Sequence, residues 1–399
     1  MRADTLRSML RTLVLTSLLS APAFTPPAPA PAEVVAADAD QPPKSARAAA
    51  DLRDLIEPIC AHAKLPAMGV AVVTVDGVIG LGVTGVRERG GSTPVTVNDR
   101  WHLGSCTKAI TATLCGALVH KHLLRWDSTV GDVLGNAIPM LDPAWSTVTL
   151  EELLRHRGGA PGTVTPEIWS AAWRCKQSPQ VCRSEFIAAI VAQPPAQPRG
   201  TFVYSNQGYA IAGCMCEAAA NAAWEDLVRT HVCAPLGITS AGFGAPSTAT
   251  GGASPKGHDA TGGVSDGDNP AAIGPAGTMH MTLADWSRFV QAHLGEPAPN
   301  AGLALPPSII KHLHSADDGA QSRAALGWMV ADRAWGGRVL THAGSNTLWY
   351  CVAWVAPEKQ FAVLVTCNQG GDGAAKACDT AAGAAIEWFR KARSTPAGK

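Results

Sequence analysis

The sequence predicts an α+β fold, in which an antiparallel sheet formed by the N- and C-terminal segments, and flanked by terminal helices, carries an inserted and mainly helical domain. Strand-like runs lie on both sides of Asp76-Gly77, a dipeptide typical of hairpin turns, and three more lie beyond residue 337. Between residues 107 and 294, apolar residues recur instead at helical spacing. We therefore expect both chain ends to complete one sheet.

Each element follows from its local pattern. Residues 45–63 place apolar side chains on one side of an amphipathic helix, for which Ser45 is the candidate cap. The predicted strands cover 68–74, 78–86, 338–342, 348–355 and 361–366. The predicted helices cover 109–124, 150–156, 184–193, 206–220, 224–232, 283–294 and 374–392. Residues 242–277 are rich in Gly, Pro and Ser without periodicity, which indicates a long irregular segment of the kind that often rims a functional site.

The composition limits the classes of function. The chain has 399 residues, of which 46% are hydrophobic, so it can bury a large core. Its 32 Lys and Arg residues balance its 32 Asp and Glu residues, which leaves no basic field to attract the phosphates of a nucleic acid. We therefore expect no nucleic acid as the partner. The oligomeric state is left open.

The N-terminus has the pattern of an export signal. Arg2, Arg7 and Arg11 precede an apolar run of about ten residues, which ends at small residues around Ala23. This pattern predicts a signal peptide over 1–23, with a frayed N-terminal helix as the alternative. No other run approaches the roughly 20 apolar residues that cross a bilayer. We therefore expect a secreted or periplasmic protein without a membrane anchor once the signal is removed.

The rest of the chain divides into a linker and one folded body. Residues 24–43 consist mainly of Pro, Ala and acidic residues, which predicts an extended linker. The body covers 44–399. Within it, we assign 44–95 and 305–399 to the α/β part and 96–304 to the mainly helical part.

Eleven cysteines raise the question of disulfides and metals. Cys175 and Cys182 bracket a short polar turn and are the best candidate pair, and Cys351 and Cys367 are expected to face each other across a hairpin. Four others lie in apolar helical runs and are expected to act as small buried hydrophobes: Cys106, Cys115, Cys214 and Cys216. We expect no metal and no organic cofactor, since neither Cys-x-x-Cys nor His-Glu-x-x-His occurs.

The strongest chemical motif is WHLGSCTK at 101–108, which leads directly into an apolar helix. Ser105 and Lys108 lie one helical turn apart on one face, so the amine can accept the proton of the hydroxyl if burial keeps that amine neutral. A helix cap is the alternative role for Ser105. Ser308 and Lys311 match the same spacing, but Ser308 follows two prolines and is expected to cap a helix.

Two further motifs supply groups of the kind that the reaction would need. Tyr204 offers a phenol that can relay a proton, and Asn206, two residues on, can hold a substrate carbonyl or amide. A buried Tyr that satisfies a backbone group is the alternative for Tyr204. His342-Ala343-Gly344-Ser345 ends a predicted strand, where Gly344 lets the backbone approach a ligand. We expect the N–H groups of Ser105 and Ser345 to hold an oxyanion together.

Taken in order, Ser105-Cys106-Thr107-Lys108, Tyr204-Ser205-Asn206 and His342-Ala343-Gly344 resemble the three motifs of the serine β-lactamase and penicillin-binding clan. Their spacing is most similar to the class C β-lactamase, D-alanyl-D-alanine carboxypeptidase and related esterase group. The resemblance runs from Leu65 to Arg390 and includes the stretches LEELLRHRGGAPG and TMHMTLADWSRF. It implies an active site between the sheet and the helical part, an acylated Ser105, a proton exchanged by Lys108 and Tyr204, and a substrate amide positioned by Asn206.

The third motif departs from this family, in which Lys-Thr-Gly is usual. A His with an ordinary pKa near 6.5 is only about one-quarter protonated at pH 7, and Ala343 lacks the hydroxyl of Thr. Attraction for a substrate carboxylate should therefore be weaker at His342. The resemblance then implies a D-Ala-D-Ala carboxypeptidase or a short-chain esterase rather than an efficient β-lactamase, acting on a small molecule or a peptidoglycan-derived peptide. A binding module or sensor without turnover is the alternative.

Two other patterns point to different enzymes. Residues 263–267 fit the Gly-x-Ser-x-Gly elbow of α/β-hydrolases, and residues 80–85 fit a dinucleotide fingerprint. The first lacks a predicted strand before it and a helix after it, and the second lies within a predicted hairpin strand. We expect neither to carry the function.

Overall fold

The computed structural model describes residues 48–295, 303, 305–316 and 323–394. The predicted signal peptide (1–23), the linker (24–43) and the proposed Ser45 cap lie outside the described residues. None of the helices in the described part of the chain combines the length and apolarity needed to cross a lipid bilayer.

Twelve strands occur in the described part of the chain. They are β1 (Ala50–Asp51), β2 (Ala67–Thr74), β3 (Gly77–Gly85), β4 (Arg100–His102), β5 (Gly242–Phe243), β6 (Gly257–His258), β7 (Val264–Ser265), β8 (Met279–Thr282), β9 (Met329–Arg333), β10 (Gly337–Ser345), β11 (Tyr350–Ala356) and β12 (Phe361–Cys367).

The same residues form thirteen α-helices and five short helical turns. The helices are α1 (Arg53–His62), α2 (Thr107–His120), α3 (Val130–Leu134), α4 (Leu150–Leu154), α5 (Pro166–Arg174), α6 (Pro179–Val191), α7 (Asn206–Ala220), α8 (Trp224–Val228), α9 (Pro246–Ala249), α10 (Gly274–Gly277), α11 (Leu283–Gln291), α12 (Pro307–Leu313) and α13 (Asp372–Ser394). The turns are 3₁₀ at Gly104–Cys106, Pro143–Trp145, Ala271–Ile273 and Pro357–Lys359, and π at Arg229–Cys233.

The main sheet has seven strands in the order β1-β3-β2-β12-β11-β10-β9. The C-terminal strand β12 lies between β2 and β11, with Val363 opposite Val72 on one side and Trp354 on the other. Both chain ends therefore complete one sheet, and the predicted α+β fold is confirmed. The prediction was purely antiparallel, whereas the two-residue strand β1 runs parallel to β3.

The sheet buries both of its faces because side chains alternate along each strand. In β12, Phe361, Val363 and Val365 face a core shared with α1 and α13, where the ring of Phe361 stacks on that of Phe389 with centroids 4.0 Å apart. Ala362 and Leu364 face the other core, which includes the buried residues of the helical segment. The sheet therefore lies between the terminal helices and the inserted segment.

Several element boundaries differ from the sequence-based ones. The helix predicted from residue 45 begins at Arg53, because Ala50 and Asp51 pair with Gly80 and Leu81 as a strand before it. Ser308 lies inside α12, whose cap position is Pro306, so the predicted cap was wrong. The irregular segment 242–277 contains short strands and helices, and the sequence analysis missed β4, β8 and β9 because they are only three to five residues long.

The structure links Cys175 and Cys182 in a disulfide bond, and the other nine cysteines are free and buried. The expected facing of Cys351 and Cys367 was wrong. Cys351 pairs with Thr366 and Cys367 with Tyr350, so the two thiols lie on opposite faces of the sheet. The thiols instead approach other partners, with Sγ–Sγ distances of 3.6 Å for Cys106–Cys351, 3.5 Å for Cys115–Cys216 and 3.6 Å for Cys367–Cys378.

Neither rival motif has the structure that its chemistry requires. The 80–85 pattern lies within β3, in the hairpin with β2, and is not followed by a helix that would receive a pyrophosphate. In the 263–267 pattern, Val264 and Ser265 form β7 and pair with Gly257 and His258, so Ser265 sits in a small hairpin rather than on a strand-to-helix elbow.

Candidate active site

Ser105 lies in the 3₁₀ turn immediately before α2 and is partly exposed. Gly104 makes this turn feasible, since its φ of +46° is a conformation that other residues rarely adopt, and a Cβ there would lie 2.3 Å from the backbone nitrogen of Ser345. The cap position of α2 is Cys106, which has no side-chain cap hydrogen bond. The structure therefore does not place Ser105 in the alternative role of a helix cap.

Lys108 is fully buried in the first turn of α2. Its Nζ lies 3.1 Å from Ser105 Oγ, and it donates to Asn206 Oδ1 at 2.7 Å and to the carbonyl oxygen of Ala276 at 2.9 Å. Burial disfavours the ammonium form and lowers the pKa of Lys108 to about 7. A substantial fraction of the amine is therefore neutral at physiological pH and directed at the Ser105 hydroxyl.

The second motif approaches the same point from α7. Ser205 caps this helix by accepting from the Gly208 N–H at 3.0 Å, which places Asn206 as the first helical residue, next to Lys108. Lys108 Nζ lies 4.7 Å from the centre of the Tyr204 ring, which places the phenol beside the Lys108 amine. Loss of hydration around its hydroxyl raises the pKa of the Tyr204 phenol above its ordinary value, so this group is protonated at neutral pH.

The alternative considered for Tyr204 was a buried tyrosine whose hydroxyl satisfies a backbone group, and Tyr209 has that role instead. The Tyr209 hydroxyl is buried and donates to the backbone carbonyl of Leu154 at 2.7 Å. Tyr204 retains 39% of its surface exposed, and its ring packs against Lys108 and His156 of the site. The two tyrosines are five residues apart, and it is the Tyr209 hydroxyl that is bound to the backbone.

The third motif forms the end of β10, opposite the Ser105 turn. Pairing with β9 stops at Thr341, whereas pairing with β11 continues to Ser345, and Ala343 and Ser345 are exposed. Gly344 packs so closely on the turn that a Cβ would lie 2.0 Å from the carbonyl oxygen of Leu103. Only glycine fits there, which places the backbones that carry Ser105 and Ser345 side by side.

His342 lies on the inner side of this strand end and is only 7% exposed. Its ring centre is 6.3 Å from that of Tyr204, and its Nδ1 lies 2.7 Å from the Ala343 carbonyl oxygen. A carbonyl can only accept, so Nδ1 is the donor. In the neutral ring Nε2 then carries a lone pair, and this nitrogen accepts hydrogen bonds rather than donating them.

Two groups of the site were not found from the sequence. The Ala276 carbonyl that binds Lys108 belongs to the backbone of α10, so no side-chain type signals it. His156 accepts from the Ser205 N–H at 3.0 Å, and its ring packs 4.5 Å from that of Tyr204. Burial, together with the nearby Lys108, lowers the pKa of His156 well below its ordinary value, so this ring is neutral. His156 lies within the stretch LEELLRHRGGAPG, and the resemblance of this stretch to the family was the sequence signal that could have identified it.

The described part of the chain contains no group of three or more His, Cys, Asp or Glu side chains placed to hold a metal ion. The site as described consists of a hydroxyl, an amine, a phenol, an amide, an imidazole and backbone groups. This set suits nucleophilic attack on a carbonyl.

The β-lactamase family model matches residues 52–386, which include every residue of this site. The chain belongs to the β-lactamase family. Penicillin-binding protein 4 of Amycolatopsis lactamdurans is 31% identical over 242 residues, which cover 58% of this chain and 60% of that protein. An unguisins hydrolase of Aspergillus violaceofuscus is 27% identical over 182 residues, which cover 44% of this chain and 31% of the hydrolase. The chain thus aligns with less than two thirds of either relative.

The fold of this chain also superposes on solved structures. A class C β-lactamase from Rhodobacter sphaeroides superposes with a TM-score of 0.69 at 18% sequence identity, covering 84% of this chain and 98% of the other. At this identity the likeness establishes the fold. The match of the family model to residues 52–386 confirms the predicted family membership.

Proposed function

We propose that this protein is a serine hydrolase that forms an acyl-enzyme at Ser105. The observation that carries the proposal is the Lys108 amine, which is fully buried, has a pKa lowered to about 7 and lies 3.1 Å from Ser105 Oγ. A general base works best when its pKa is near the working pH. Membership of the β-lactamase family supports the same reaction class.

Acylation would begin when neutral Lys108 accepts the hydroxyl proton as Ser105 Oγ bonds to the substrate carbonyl carbon. The carbonyl π electrons move to its oxygen, which the N–H groups of Ser105 and Ser345 stabilise. When the carbonyl re-forms, the bond to the leaving group breaks, and the departing atom receives a proton relayed from Lys108 through the Tyr204 hydroxyl. Asn206 orients the acyl group. Water then attacks the carbonyl carbon of the ester while Lys108 accepts one of its protons. The bond from Ser105 Oγ to the acyl carbon breaks, Oγ receives that proton, and the acid is released.

The third motif supports a substrate without a free carboxylate. A neutral His342 has Nδ1–H bound to the Ala343 carbonyl, so it presents the Nε2 lone pair rather than a positive charge. Ala343 adds no hydroxyl. We therefore favour a short-chain ester or a small amide over a penicillin, with a D-alanyl-D-alanine peptide as the second candidate because a relative is a penicillin-binding protein.

We also propose that the protein is exported. The basic and apolar start of the chain supports this proposal, and so does the disulfide between Cys175 and Cys182, because such bonds persist in oxidising compartments. Cell fractionation would locate it, and intact mass of the mature chain would show whether the first 23 residues are removed.

The direct test is covalent labelling. Intact mass spectrometry after incubation with a fluorophosphonate should show one adduct on the wild-type chain and none on Ser105→Ala. The matched control is Ser308→Ala, which removes the other serine of a Ser-x-x-Lys match and should label normally. A wild-type chain that remains unlabelled, or an adduct that persists in Ser105→Ala, would refute the proposal.

Substrate class follows from a second assay on the same preparation. Nitrocefin, a D-Ala-D-Ala peptide and p-nitrophenyl acetate should be compared by kcat/KM, and we expect the ester to be turned over fastest. Turnover that disappears in Ser105→Ala would also reject the alternative of a binding module that has lost catalysis.

A further inference from the structure

A chain of buried polar groups lies beneath the Ser105 turn, outside the groups that would carry out acylation. It consists of His102 at the end of β4, Asp268 in the irregular segment and Asn346 just after β10. The side chain of His102 is fully buried, and those of Asp268 and Asn346 are at least nine-tenths buried. Three segments that are far apart in sequence therefore meet under the candidate nucleophile.

The hydrogen bonds define the protonation of His102. The Gly104 N–H donates to His102 Nδ1 at 3.0 Å, so Nδ1 carries a lone pair and no proton. The ring proton is then on Nε2, which lies 2.8 Å from Asp268 Oδ1, in close contact but without the alignment of a hydrogen bond. His102 is held as the Nε2–H tautomer, with a carboxylate on one side and the backbone of the Ser105 turn on the other.

The same carboxylate reaches the second half of the site. Asp268 Oδ1 accepts from Asn346 Nδ2 at 2.8 Å, and Asn346 Oδ1 accepts from the N–H groups of Leu348 and Trp349 at 3.2 Å each. The Trp349 ring also stacks on His102, with centroids 5.3 Å apart. Asn346 directly follows Ser345, so this end of β10 is fixed by the same buried group.

Both backbone groups proposed to bind the oxyanion are thus linked to Asp268. One link runs through His102 and the Gly104 amide to Ser105, and the other runs through Asn346 to Ser345. The two backbones are already in close contact, since a Cβ on Gly104 would lie 2.3 Å from Ser345 N. Because this spacing is tight, a change at Asp268 or His102 should alter the relative position of the two N–H groups.

We propose that His102 and Asp268 are positioning residues that set the separation of the two oxyanion-binding N–H groups. The inference rests on the proposed function of Ser105. These side chains do not contact the substrate, but act through the backbone at Gly104 and Asn346. An error of about 1 Å in such a site can cost about 100-fold in rate, so their loss should lower the rate of acylation more than it lowers substrate affinity.

The test uses substitutions that each remove one half of the linkage. Asp268→Asn keeps the shape of the side chain and removes its charge. His102→Asn keeps an acceptor near the Nδ1 position, whereas His102→Gln keeps a donor near the Nε2 position. We expect a 10- to 100-fold fall in kcat for p-nitrophenyl acetate in each variant, with KM changed less than threefold.

A matched control variant distinguishes a loss of positioning at the oxyanion-binding groups from a general loss of packing in the core. His293 is also fully buried and hydrogen-bonded, to Thr113 and His314, but it lies outside the site. His293→Gln should lower the melting temperature as the His102 variants do, while kcat stays at the wild-type value when all proteins are assayed well below their melting temperatures.

Combining Asp268→Asn with His102→Gln should lower kcat little further than either change alone, because both act on one linkage. ¹⁵N NMR of histidine-labelled protein should show His102 as the neutral Nε2–H tautomer. Wild-type kcat in the His102 and Asp268 variants, or an Nδ1-protonated His102, would overturn the positioning proposal while leaving the proposed function intact. Failure of the wild-type protein to label at Ser105 would overturn both.

Discussion

The two sides of the candidate site differ in how tightly they are built. On the helical side, Lys108 is fully buried and has three hydrogen-bonding partners, from the 3₁₀ turn before α2, from α7 and from α10. On the sheet side, the end of β10 has lost its pairing with β9, and Ala343 and Ser345 are exposed. The helical side keeps the residue types usual in the family, whereas the sheet side carries the departure at His342-Ala343.

We infer from this difference that the helical side carries out the proton transfers and that the sheet side selects the substrate. Groups that must exchange a proton have to be held rigidly in a dry environment, since burial is what lowers the pKa of Lys108. At the strand end the side chains of Ala343 and Ser345 are exposed, so substitutions at these two positions can change the preferred substrate at little cost to the fold. We therefore expect changes on the helical side to abolish turnover and changes on the sheet side to alter selectivity.

The largest expected effect is the loss of the buried amine. Lys108→Met retains most of the side-chain volume but cannot accept the Ser105 proton, so kcat/KM for p-nitrophenyl acetate should fall about 1000-fold. Lys311→Met is the matched control, because Lys311 belongs to the other Ser-x-x-Lys match and lies exposed on α12. Near-normal activity in Lys108→Met would show that Lys108 does not accept the Ser105 proton.

The next effect is the dependence of the rate on pH. Lys108 must be neutral to act as a base, and its lowered pKa of about 7 places that change within the physiological range. Below about pH 7, the value of log(kcat/KM) should fall by one for each pH unit, and above it the rate should level off. A pH profile on a neutral ester from pH 5.5 to 8.5 would measure this. A flat profile would contradict the proposed role of Lys108.

A smaller effect is expected on the sheet side. His342→Lys places a fixed positive charge where the family usually has one, so carboxylate-bearing substrates should gain about tenfold in kcat/KM relative to a neutral ester, equivalent to about 1.4 kcal/mol. His342→Gln, which is uncharged, serves as the control and should show no such gain. Equal effects of both substitutions on both substrates would mean that this strand end does not select by charge.

The smallest effect concerns the thiols, which do not enter the reaction. Nine cysteines are free and buried in the structure, including Cys106 and Cys351 directly behind Ser105. The folded protein should therefore react slowly with a thiol reagent. Under denaturing conditions nine thiols should titrate before reduction, and all eleven after it. A count of seven or fewer before reduction would mean that at least one further pair of thiols is oxidised.

Much of the fold was readable from local patterns. The helix predicted over 206–220 coincides with α7, and the strand predicted over 361–366 lies within β12, because apolar spacing reflects which face of each element is buried. Short strands such as β4 were missed, since three residues carry too little periodicity. The prediction that Cys351 faces Cys367 was wrong because sequence patterns do not fix the register of two paired strands. A shift of one residue in register moves a side chain to the opposite face of the sheet.

The sequence by itself determined the family, the longer strands and helices and the residue types Ser105, Lys108, Tyr204 and Asn206, since each depends on local spacing. Only the tertiary structure decided how those groups are held. The Ala276 carbonyl on Lys108, the His156 ring beneath Tyr204 and the Asp268 linkage all join segments distant in sequence. The physical reason is that pKa values and hydrogen-bond partners depend on burial and on three-dimensional neighbours, which no single stretch of sequence contains.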